Sequence, residues 1–210
     1  MSTGIIDTDR LSSRETLKIW LGNPFHFVAG GQALAIGIGI VLVAGFNGSV
    51  SRSHFDGVFD FHTGLPAPIW IFLLEGLIDW LCMAGLLWLA GLLISKSRVR
   101  AVDVFGTQAF ARFPTLGTAA VALLPGYQRE AARLAVMDMT MIPLDVAAFA
   151  VVALVTIIML PWMVVLMYRA FAVSCNVDGA KAIIAFVIAA FLAEVASKFF
   201  LMGIIGRMLA

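Results

Sequence analysis

The chain has 210 residues, of which 61% are hydrophobic and only 13% charged, and its mean hydropathy is +1.00. A soluble domain carries about 25% charged residues, so the composition excludes a water-soluble globule, a disordered chain and, with two cysteines, a disulfide scaffold. A net charge of +1 excludes a nucleic-acid binder built on a strong basic field. What remains is an integral membrane protein, all-α, with several spans.

Residues 1–26 form a polar lead-in. Ser12, Ser13, Arg14 and Glu15 fit a capping box, with Ser12 as N-cap and Glu15 three residues on. Leu17, Ile19, Trp20 and Leu21 follow among charges, a pattern that predicts a short helix on the membrane surface. The apolar run starts late and no small-residue cleavage site precedes it, so no cleaved signal peptide is expected.

Residues 27–210 read as one transmembrane domain of five helices. A span needs about 20 mostly apolar residues, and such runs fall at 27–46, 69–94, 104–124, 146–167 and 182–201. They are long and continuous, which selects a helical bundle over a β-barrel. The first span carries Ala33, Ala35, Gly37 and Gly39, two small-xxx-small pairs that predict close helix packing. Near the end of the second stand Lys96, Arg98 and Arg100, a topology signal with the chemistry to hold anionic lipid headgroups. The third span is the most polar, with Gln108, Arg112 and a predicted kink at Pro114. Pro161 predicts a bend in the fourth. The Lys and Arg flanking the spans divide eight to four in favour of a cytoplasmic N-terminus and an outside C-terminus. The cysteines, Cys82 in the second span and Cys175 in an inner loop, lie away from the oxidising side.

Five ionisable residues fall inside the spans: Glu75, Asp79, Arg112, Glu194 and Lys198. Such groups are costly in lipid and take partners. At 1.5 Å per residue, Asp79 sits roughly 15 Å from the outer start of its span and Arg112 roughly 12 Å from the inner start of the next. The depths nearly coincide, so Arg112 is the expected counter-ion of Asp79. Glu75 and Asp79 share a helix face, and a cation or proton must separate their charges. Lys198 has three options: Glu194 one turn earlier, Glu75, or the interface. Either a buried ion network that fixes helix register or a proton or ion relay fits this set. His54, Asp56, Asp60 and His62 crowd the first outer loop, where only weak metal binding is conceivable, and no metal or cofactor motif is present. No catalytic motif occurs, so no enzyme is expected.

Two stretches, VDVFGTQAFARFP at 102–114 and YRAFAVSCNVDGAKAII at 168–184, together with the span layout, resemble the bacterial branch of the Yip (Ypt/Rab-interacting) family of five-span membrane proteins. The resemblance implies a five-helix membrane fold. Eukaryotic members sit in early secretory membranes, bind small GTPases and each other, and carry an acidic-Leu-Tyr-Gly-Pro motif near the N-terminus. This chain has Asn23, Pro24 and Phe25 instead and a shorter N-terminal region, so GTPase binding does not carry over. The expectation is a non-enzymatic protein of a bacterial inner membrane that organises a membrane assembly or the bilayer. Its partners would be membrane lipids and either a protein or a second copy of itself, with no nucleic acid. A small transporter or channel using the intramembrane charges, and an accessory subunit of a larger membrane complex, are the alternatives.

Overall fold

The computed structural model describes residues 12–135 and 145–208. Residues 1–11 of the expected N-terminal segment and the side chain of Arg207 fall outside that description. The described chain is all-α apart from one short hairpin. Helix α1 (Ser13–Gly22) leads through a 3-10 turn, Pro24–His26, into α2 (Gly30–Ser51). Strands β1 (Ser53–His54) and β2 (His62–Thr63) pair antiparallel, Ser53 opposite Thr63. Then come α3 (Ile69–Ile94), α4 (Ala101–Phe110), α5 (Pro114–Val121), α6 (Pro125–Ala135), α7 (Val146–Cys175) and α8 (Gly179–Met208).

Four of these helices, α2, α3, α7 and α8, are long and apolar enough to cross a membrane. The expected span at 104–124 is not one helix. Proline at 114 has no N–H to give, so the ladder tightens before it. Arg112 and Phe113 reach back only three residues, to the carbonyls of Ala109 and Phe110, at 3.3 and 3.0 Å. The result is two short helices, α4 and α5, joined at Ala111–Phe113. From α4 into α6 the chain runs alongside α7. At one end the Ser95 hydroxyl donates to the Cys175 carbonyl at 2.5 Å, and the Thr107 and Ser174 hydroxyls meet at 2.8 Å. At the other, the Tyr127 and Thr63 hydroxyls meet at 2.8 Å and the Tyr127 ring packs on Phe149.

Other boundaries shift for local reasons. α2 starts later than residue 27 because the 3-10 turn uses that stretch, and it continues to Ser51, whose hydroxyl bonds back to the Asn47 carbonyl. α7 continues past residue 167 because Ala170, Phe171 and Cys175 prolong its buried face. Cys175 is therefore the last residue of a helix and not part of a loop. Pro161 lies within α7, which continues on both sides of it.

The core gathers where α3 meets α7, around Met83, Leu87, Leu166, Met167 and Phe171, all fully buried. Outward faces carry Leu93, Ile157, Phe191 and Phe199, each more than two-thirds exposed. Water would oppose that exposure at about 25 cal/mol per Å²; lipid removes the penalty. Ala33 and Gly37 point inward, and a Cβ on Gly37 would run into Ala109 and the backbone of Phe110. That absence of a side chain sets the close approach of α2 and α4. Ala35 and Gly39 face outward, so the second small-residue pair packs against nothing within the described chain. The spacing of four is common to both pairs; only the helix's rotation separates them.

Candidate functional site

The hairpin and the loop around it, residues 52–68, cover one end of the bundle and bring four of their own groups onto the intramembrane charges. Glu75, on α3 and 1% exposed, holds His54 Nδ1 at 2.7 Å through Oε1 and accepts the Phe55 N–H at 3.3 Å through Oε2. His54 Nε2 donates to the Leu65 carbonyl at 3.0 Å. Both ring nitrogens thus face acceptors, and only the imidazolium has two protons to donate. Burial alone would lower the His54 pKa; the hydrogen bond and charge of Glu75 outweigh it and raise the value above the ordinary 6.5. The ring also stacks on Phe72, 4.4 Å between centroids, and on His62.

A second tie lies on α8. Glu194 Oε2 accepts the Phe59 N–H at 3.0 Å, while Lys198 Nζ bridges Glu194 Oε1 at 3.3 Å and Asp60 Oδ2 at 2.7 Å. Partial burial pushes the Asp60 carboxyl up, but Lys198 prevails and holds it below the ordinary carboxylate value. Gly57 permits the contact, since a Cβ there would meet Glu194 and Lys198. Lys198 therefore takes its α8 neighbour and a loop aspartate, not Glu75.

Asp79 and Arg112 do not form the expected direct pair. Both are at least 95% buried and within electrostatic reach of each other. Yet neither Asp79 oxygen, nor Arg112 Nε or Nη2, has a hydrogen-bond partner among the described residues. Arg112 lies in the break between α4 and α5, where matching depth along a helix does not set the direction of its side chain. There Arg112 lines a small, partly open cavity with Asp60, Thr115, Thr118 and Thr156. That cavity measures about 20 Å³, room for one water.

Lys96, Arg98 and Arg100 are exposed on the turn between α3 and α4. Asn176 at the end of α7 donates to the Ser97 hydroxyl at 2.8 Å, which ties the turn to α7, while Arg100 lies 3.7 Å from Asp103 in the first turn of α4. Asp56, Asp60 and His62 offer three ligand atoms within 4.8 Å of one another, the one such grouping among the described residues. Lys198 already occupies Asp60, which works against a cation there.

The residues that sequence reasoning missed are His54 and Asp60 as partners of the buried acids. The crowd of His54, Asp56, Asp60 and His62 was visible as a cluster, but nothing in the sequence folds that loop onto α3 and α8. Fold and site together define an α-helical integral membrane protein whose charged interior is capped at one end by its own hairpin. No family model, curated protein or solved structure matches the chain.

Proposed function

We propose that this is a non-enzymatic membrane protein, Yip-like in layout, that organises a membrane assembly or the bilayer through lipid and protein partners. The observation that supports this reading most is the closure of its charged interior. Glu75, Glu194 and Lys198 are held by the hairpin, and the cavity at Arg112 holds about one water where it adjoins a wider pocket of about 320 Å³ through Phe61 and Thr156. The outward faces stay available, with Ala35 and Gly39 forming a small-residue stripe of the kind that packs against another helix. In this reading α4 and α5 make the fifth crossing, in two pieces. The N-terminus and Lys96, Arg98 and Arg100 lie on the cytoplasmic face of a bacterial inner membrane. The hairpin then sits on the outer face.

Gentle-detergent extraction from the native membrane, with mass measurement of the particles, tests the proposal. The expected result is a defined assembly larger than one chain, either a homo-oligomer or a stoichiometric complex, with lipid retained. A lone monomer free of lipid and protein overturns it. An accessory subunit of a larger complex would appear in the same experiment as a fixed partner of known activity.

One observation favours a second reading, a small proton-coupled transporter. Asp79 is fully buried beside Ser197 and the Arg112 charge without a direct ion pair, and an intramembrane carboxyl of this kind is a functional candidate in its own right. That reading requires proton-driven flux through reconstituted vesicles that Asp79→Asn abolishes.

A further inference from the structure

We infer that the lipid-facing flank of α3 is a binding site for one acyl chain of an anionic phospholipid whose headgroup is held by Lys96 and Arg98. A groove of about 590 Å³ runs along that flank. Its floor is α3 from Ile78 to Leu89, one wall is Phe105 of α4, and the other is formed by Ala196 and Phe200 of α8. The groove lies on helices apolar enough to span a membrane, so its occupant is drawn from the bilayer.

Two features of the groove select among bilayer molecules. The first is a gap at Gly85, where an added Cβ meets nothing within 4 Å, although Gly85 lies mid-helix on the groove floor. A helical glycine costs about 0.5–1 kcal/mol relative to alanine, and here it deepens the groove. The second is charge. Leu89 precedes Ile94, and Phe105 follows Arg100, by five residues each, so the groove ends roughly 8 Å along either helix from the basic turn. Lys96 and Arg98 are exposed there and enter no ion pair among the described residues, whereas Arg100 is engaged with Asp103. An acyl chain in the groove therefore brings its glycerophosphate to two unengaged cations. A zwitterionic lipid fills the same groove but carries a balancing positive charge on its headgroup. Each basic residue near the surface contributes a preference of roughly fivefold for an anionic headgroup.

This deepens the lipid side of the proposed function and requires only that the protein is embedded in a bilayer. Trp88 lines the inner part of the groove and serves as a built-in reporter. The protein is reconstituted in phosphatidylcholine vesicles containing a small fraction of phosphatidylglycerol, with bromine on the acyl chains of one lipid or the other. The quenching that Trp88→Phe removes is the signal. Brominated phosphatidylglycerol should quench it at least fivefold more effectively per mole than brominated phosphatidylcholine. Lys96→Gln with Arg98→Gln should erase that preference, and Gly85→Leu, whose Cβ meets nothing within 4 Å, should fill the gap and suppress quenching by both lipids. Equal quenching by the two lipids overturns the site and leaves only ordinary surrounding lipid. A preference that survives the double charge substitution overturns the headgroup assignment, and indifference to Gly85→Leu overturns the groove. No quenching by any brominated lipid would instead mean that the protein is not embedded, a failure of the membrane reading itself.

Discussion

Gly37 and Gly39 are two residues apart on one helix, and the same substitution should move stability in opposite directions. A Cβ at Gly37 would sit 2.6 Å from the Ala109 carbonyl carbon and closer still to the Ala109 Cβ. Ordinary carbon contacts are about 3.5–4.0 Å, so α2 would have to withdraw from α4 by roughly 1 Å. The obstructing atoms belong mainly to backbone, which cannot turn aside as a flexible side chain does. Overpacking of this kind costs about 1–3 kcal/mol, partly offset by the 0.5–1 kcal/mol that alanine gains over glycine in a helix. Gly37→Ala should therefore destabilise by about 1–2 kcal/mol. At Gly39 a Cβ meets nothing within 4 Å, so only the helix gain remains and Gly39→Ala should stabilise by up to about 1 kcal/mol. At roughly 2–4 °C per kcal/mol for a chain of this size, the two melting temperatures should differ by about 3–12 °C in one detergent. The assay is fluorescence-detected thermal unfolding of both variants beside the parent. Equal shifts, or a Gly37→Ala protein more stable than Gly39→Ala, would refute the packing of α2 on α4.

The hairpin tie to α3 should weaken as pH rises. The His54 pKa is raised above 6.5, so its stabilisation is fully present below that value and is lost as pH climbs through the higher folded-state value. Protection factors for hydrogen exchange in residues 53–63, corrected for the base-catalysed intrinsic rate, should be higher at pH 6 than at pH 9, and His54→Gln should flatten the difference. Glu194→Gln keeps a hydrogen-bond acceptor for Phe59 but removes the charge that faces Lys198; a loss of about 1–2 kcal/mol is expected from the weakened charge-assisted bond, with exchange at Phe59 rising selectively. Trp80→Phe removes the 2.9 Å bond from the indole N–H to the Phe105 carbonyl and should cost about 0.5–1.5 kcal/mol in thermal unfolding, with oligomeric mass unchanged.

Much of the architecture was legible because hydropathy reads burial in lipid directly. The second span was placed at 69–94, the bounds of α3. Pro114 announced its break as well, since a missing N–H is a local property of one residue. What the sequence could not carry was the consequence two residues away, where Arg112 turns toward a cavity and away from a direct bond with Asp79. The pair of Glu194 and Lys198 was legible because a spacing of four is fixed by the helix itself. Their third member, Asp60, was not, because 138 residues separate it from Lys198 and only the folded loop joins them. Helix rotation was equally hidden. Ala33 and Gly37 pack inward while Ala35 and Gly39 face out, and a motif with the same spacing on both faces cannot say which is which.

The account rests on the charged interior being closed and structural, and ion flux through the reconstituted protein tests that most directly. Vesicles holding the parent protein, under a proton or potassium gradient, should leak no faster than vesicles without it, and Asp79→Asn should change nothing. Flux well above the empty vesicles that disappears with Asp79→Asn would contradict the account and make the buried carboxyl a working part of a pathway.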